Sequence, residues 1–129
     1  MTDRPSSAPP TTSPTASAEF PIVRRALLAA DLGGAEVARV EIRQIDLEPA
    51  QQTGLHRHAS PVVGYIVRGT IRFQIEGGPL QSLSEGSAFF EPPGIRILHF
   101  DNASDRQPAR FIAFYLLRSP DQALIEMLA

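Results

Sequence analysis

The sequence contains no cysteine. Disulfides, thiolate metal sites and cysteine nucleophiles are therefore excluded. Lysine is missing too: all 12 basic residues are arginines. They are scattered, and no cluster suggests an anion site. With 14 acidic residues the net charge is −2 at pH 7, which gives no general attraction to nucleic acid or to an anionic membrane. Long hydrophobic runs are also lacking. The first apolar cluster, "IVRRALLAA", is broken by two arginines and is far too short to span a bilayer. The N-terminus lacks the apolar core of a signal peptide, so a cytoplasmic location is expected by default. No internal repeat and no helix-turn-helix signature is visible.

What is present points to one globular unit. The chain has 129 residues, of which 43% are hydrophobic and 20% charged, ordinary values for a single domain. Residues 1–19 are mostly Pro, Ser, Thr and Ala. Such a segment cannot bury enough apolar surface to offset its ordering entropy, so a disordered tail is expected there, with one domain over 20–129. "VRRALLAADL" is ambiguous between a strand and a helical turn. Beyond it come short strands between turn signals. "VARVEIRQIDL" is rich in β-branched residues, and its apolar phase changes between Ile42 and Ile45, which suggests a bulge near Gln44. "VVGYIV" reads as buried on both faces, with Tyr65 in the core. "TIRFQIE" alternates cleanly and ends at the Gly77–Gly78 turn. "SAFFE", "IRILHFD" and "ARFIAFYLL" are further strands. Many short strands with regular turns argue for a sandwich or barrel. In "SPDQALIEMLA", Ser119 suits an N-cap, Pro120 the first helical position and Gln122 a capping box. A short C-terminal helix is expected there.

Chemistry concentrates in the histidines, of which there are only three. In "GLHRHASPVVGYIVRG", His56 and His58 stand two apart, so a strand puts both imidazoles on one face. His99 is the third, and three imidazoles make a minimal first shell for zinc or non-haem iron. The bland alternative is that the pair faces a barrel mouth and bonds only to water. Glu91 reads as a solvated rim charge, since Glu is seldom buried. Alternation separates Arg72 and Gln74 from Ile71, Phe73 and Ile75 without saying which set faces inward. Gln74 is therefore a candidate pocket residue.

"GLHRHASPVVGYIVRG" and "EGSAFFEPPGIRILHFDNAS" together resemble the two motifs of the cupin superfamily. The first motif reads Gly-x5-His-x-His-x3,4-Glu-x6-Gly. His56, His58 and Gly69 match it, Ala50 stands in for the leading Gly, and Val62 stands where the Glu belongs. The second reads Gly-x5-Pro-x-Gly-x2-His-x3-Asn. Gly86, Pro92 and Gly94 match, Ile97 takes the His position, and Asn102 comes one residue late. The resemblance spans about residues 37–117. It implies an all-β fold, the double-stranded β-helix or jelly-roll-like cupin barrel, with homodimers formed through N-terminal strands and sheet edges. In metal-binding members the two motif histidines, the motif Glu and the second-motif His hold the ion, and only His56 and His58 of that set are kept here.

A displaced third ligand is expected at His99. On a regular strand it shares a face with Ile97, about 6.5–7 Å away, with Asp101 next along that face to orient an imidazole. The expected metal ligands are therefore His56, His58 and His99, holding a divalent transition metal such as Fe, Mn, Ni or Zn. Val62, Gln74, Ile97 and Asp101 are the expected pocket residues. Three functions remain open. The chain is a metal-bearing cupin that binds a small molecule, an oxygenase or isomerase if it is an enzyme. Alternatively it is a metal-free binding or regulatory cupin without catalysis, or a structural dimer with a vestigial site. No catalytic base stands out, because the missing Glu often serves that role in related enzymes.

Overall fold

The computed structural model describes residues 20–128. The tail expected over residues 1–19 lies outside them. Nine strands form in the described residues: β1 (Arg39–Leu47), β2 (His56–Arg57), β3 (Val62–Arg68), β4 (Ile71–Ile75), β5 (Gln81–Leu83), β6 (Ala88–Glu91), β7 (Ile97–Asn102), β8 (Ala109–Leu117) and β9 (Glu126–Met127). They make two sheets, one in the order β1-β8-β3-β6 and one in the order β5-β4-β7-β2-β9. All pairings are antiparallel. Antiparallel strands can bury one face and solvate the other. That holds here: Val62 and Ile66 of β3, Ile71 and Phe73 of β4, and Phe111 and Ala113 of β8 face a shared core.

The strand pattern corrects several expectations. The β1–β8 ladder runs unbroken from Arg39↔Leu117 to Leu47↔Ala109, so there is no bulge at Gln44. The phase change has another source: Val40 and Ile42 lie on the outer face and stay exposed, while Ile45 and Leu47 turn inward. Strand β3 is buried on one face only. Tyr65 is 39% exposed and is not a core residue. In β4 the apolar set faces inward, which puts Gln74 on the outer face. Its amide donates to the Gly78 carbonyl at 3.0 Å, steadying the turn.

No helix forms after Ser119 in the described residues, and none of them lies in a helix long and apolar enough to cross a membrane. A segment of about ten residues is marginal as an isolated helix, and tertiary partners win. The Gln122 side-chain oxygen accepts from Ser60 Oγ and from the Arg118 amide. Glu126 and Met127 instead pair with Arg57 and His56 as β9.

Ala50, the residue in the leading-Gly position, has φ +62° and is the one non-glycine at positive φ among the described residues. The left-handed region costs an L-residue about 1–2 kcal/mol, partly offset by the larger entropy a glycine loses on folding. Ala50→Gly is therefore expected to raise stability by about 0.5–1 kcal/mol. Denaturant unfolding checks this, and an unchanged or lower midpoint would show that the turn carries no strain.

Candidate metal centre

Strand β2 and the residue after it bring His56 and His58 to the interior. Both are buried, at 3% and 4% exposure, while Arg57 between them turns out to pair with Glu126. The imidazole centroids lie 5.1 Å apart with the rings nearly perpendicular. Each ring is fixed by a backbone carbonyl. His56 Nδ1 donates to Gly54 O at 2.7 Å, and His58 Nδ1 donates to Leu124 O at 2.6 Å. With Nδ1–H held by a carbonyl, each ring is turned so that its Nε2 can be presented to an ion, the usual way an outer partner orients a metal-binding histidine.

The carboxylate comes from the other sheet. Glu91 ends β6 and is only 3% exposed. Its Oε1 lies 2.9 Å from His58 Nε2. Ligand atoms of His56, His58 and Glu91 all fall within 4.8 Å of one another. Three donors sharing one ion at about 2.0–2.1 Å sit about 3.3 Å apart in a tetrahedron, so modest side-chain rotation closes the shell. These three residues can hold a metal.

Glu91 is the cross-strand partner of Val62, and Val62 also faces Tyr115 of β8. Residues directly opposite in antiparallel strands share a face. Tyr115, Val62 and Glu91 thus form an inward row, and the carboxylate missing at Val62 is supplied one strand over. The rim charge expected at Glu91 is in fact a buried group. Little in the sequence announced it, since Phe89 and Phe90 are both apolar and leave the phase of β6 open.

His99 lies elsewhere. The β4–β7 ladder shifts between Gln74↔His99 and Ile75↔Ile97. The extra residue breaks the alternation, so Ile97 and Phe100 both face the core, at 0% and 2% exposure. The His99 side chain is left 44% exposed, with Nδ1 2.9 Å from Asp101 Oδ2. Asp101 is buried on that side, where Gln52 bridges to it, and neither residue joins the cluster. Ile97 pairs with His56 and packs in the core.

A cavity of about 150 Å³ adjoins the cluster. Val62, Phe89, Phe100, Phe111 and Ile125 give it apolar walls, Thr53 and Tyr115 add hydroxyls, and among the described residues no arginine lines it. Burial and the charge of Glu91 push the Tyr115 phenol up, so it stays a donor. Burial pulls the His58 imidazole down, but the hydrogen bond and charge of Glu91, with the Leu124 carbonyl, outweigh it and the net shift is upward. A raised imidazole stabilises the fold fully below its unfolded pKa and loses that contribution as pH climbs through the folded value. Metal-free protein is accordingly expected to lose stability as pH rises from about 6.5, and His58→Gln to flatten the fall. Denaturation midpoints across that range check this. An unchanged slope in the variant would remove the His58–Glu91 pair as its cause.

The family profile described as "Cupin domain" matches residues 43–115. The chain belongs to the cupin family. No curated protein matches this cupin at a significant level. Among solved structures it is similar to oxalate oxidase in complex with the substrate analogue glycolate, with TM-score 0.58 and 18% identity over 69% of this chain and 46% of that one. The DMSP lyase DddQ from Ruegeria pomeroyi gives TM-score 0.58 and 20% identity over 68% and 42%. A cupin-like protein from Thermotoga maritima gives TM-score 0.57 and 21% identity over 70% and 65%. The cupin spans under half the length of the oxidase and the lyase. At these identities the likeness is one of fold.

Proposed function

We propose that this cupin binds one divalent transition metal on His56 Nε2, His58 Nε2 and the Glu91 carboxylate, and a small molecule in the adjoining apolar cavity. The observation that carries the reading is the convergence of three buried donors whose imidazoles are pre-oriented by carbonyls. Two histidines and one carboxylate with open positions is a donor set suited to non-haem iron, and zinc accepts it as well. Such an ion would act as a Lewis acid on a bound oxygen. The chain's own residues would orient the ligand: the aromatic walls exclude water, and Tyr115 and Thr53 offer hydroxyls.

A metal-free binding module is the second reading. It is favoured by the direct His58–Glu91 contact, which lets the two groups satisfy each other without an ion. Elemental analysis of tag-free protein, purified and then exposed to zinc or iron, separates the two. The first reading expects one ion per chain, lost in His56→Ala. Stoichiometry near zero after loading would leave the second. Pairing of two copies belongs to the same proposal. It is supported by β1, an edge strand of its sheet among the described residues, where Val40 and Ile42 are 52% and 59% exposed; exposed apolar edges favour association. Solution mass tests it.

A further inference from the structure

Resting on the metal reading above, we propose that the cavity takes a compact monocarboxylate, about the size of benzene, that carries one neutral oxygen. Three independent features define this class.

The first is charge. Both imidazoles donate Nδ1–H to backbone carbonyls and would meet an ion as neutral ligands. A divalent ion with Glu91 then leaves one positive charge in a cavity walled by Val62, Phe89, Phe100 and Phe111. Among the described residues no arginine lines that wall to balance further negative charge. An uncompensated charge in an apolar site is costly. A monoanion closes the balance, a dianion overshoots it and a neutral molecule leaves it open.

The second is size. The cavity of about 150 Å³ matches one that accommodates benzene, so the body of the ligand has about six non-hydrogen atoms. The third is an unanswered hydroxyl. Thr53 lines the same cavity, and its Oγ1 is the one buried side-chain polar atom without a hydrogen-bond partner among the described residues. Buried polar groups are nearly always satisfied, and each exception calls for a reason. A neutral ligand oxygen supplies one, because Thr53 can donate to it or accept from it.

The test uses the full chain loaded with zinc and titrated calorimetrically with 3-hydroxybutyrate, its neutral amide, succinate and butyrate. Zinc content is measured after each titration. The proposal expects 3-hydroxybutyrate to bind about a hundredfold tighter than the amide or succinate. Thr53→Val is expected to weaken 3-hydroxybutyrate about fivefold while leaving butyrate unchanged. If zinc stays at one per chain and the amide or the dianion binds as well as the monoanion, the ligand class is wrong and the metal reading stands. If Thr53→Val weakens butyrate as much as 3-hydroxybutyrate, the neutral-oxygen part is overturned. If the chain takes up no zinc, the metal reading falls and takes this one with it.

Discussion

Glu91→Gln is expected to lower divalent-metal affinity by about a hundred- to a thousandfold. Zinc sites with four protein ligands are worth about 10–16 kcal/mol at neutral pH, so each ligand carries roughly 2.5–4 kcal/mol, which converts to that range. The amide keeps the shape of the side chain and removes its charge, so the effect reads the carboxylate and not packing. Adding Val62→Glu to Glu91→Gln is expected to recover much of the loss. Val62 stands directly across the ladder from Glu91 on the same inward face, and it occupies the position where the first cupin motif carries Glu. Zinc titration against a competing chelator measures both variants. Wild-type affinity in Glu91→Gln would remove Glu91 from the shell. Failure of the double variant to recover would mean that the two positions do not reach the same point.

Gly64→Ala is expected to cost about 3 kcal/mol and to lower Tm by roughly 10–20 °C. Gly64 sits in β3 between β6 and β8, paired with Phe89 and Ala113. A Cβ there would press into the Phe89 ring and the Ile112 carbonyl. The ring is held among Phe73, Phe100 and Phe111, and the carbonyl belongs to β8, an inner strand paired on both sides, so neither gives way cheaply. The control is Gly77→Ala, where φ is +84° but nothing lies within 4 Å. Only backbone strain applies there, about 1 kcal/mol. Thermal unfolding of the pair checks the argument, and equal losses would show that the crowding at Gly64 is relieved.

The barrel was legible because its signals are local. Alternation in β4, the turn at Gly77 and the His-x-His pair each need only neighbours in sequence. The motif spacings then set the order of the strands around the pair. The site was only half legible. Its two imidazoles stand in one motif, but its carboxylate is defined by a ladder partner, and register between distant strands leaves no mark in either one. The displacement of His99 did leave a trace: Asn102 comes one residue late for the second motif, and β7 holds one extra residue opposite β4. Asn102 nevertheless keeps a structural post, donating to Glu48 O and Gln107 O at 3.1 and 2.7 Å. The extra residue is therefore absorbed before it, within the strand. The C-terminal helix failed for the opposite reason. Its capping residues were correctly placed for a helix, but Gln122 and Leu124 found distant partners that a local reading does not see.

The donors of the centre do not belong to one sheet. His56 lies in β2 of the five-stranded sheet and His58 directly follows it, whereas Glu91 closes β6 at the border of the four-stranded one. Any ion they share would rivet the two halves of the barrel together at the seam where His58 already meets Glu91. Loading and unloading would then be felt as a change in how freely the halves part, and amide exchange along β6 and β2 would slow together when the ion enters.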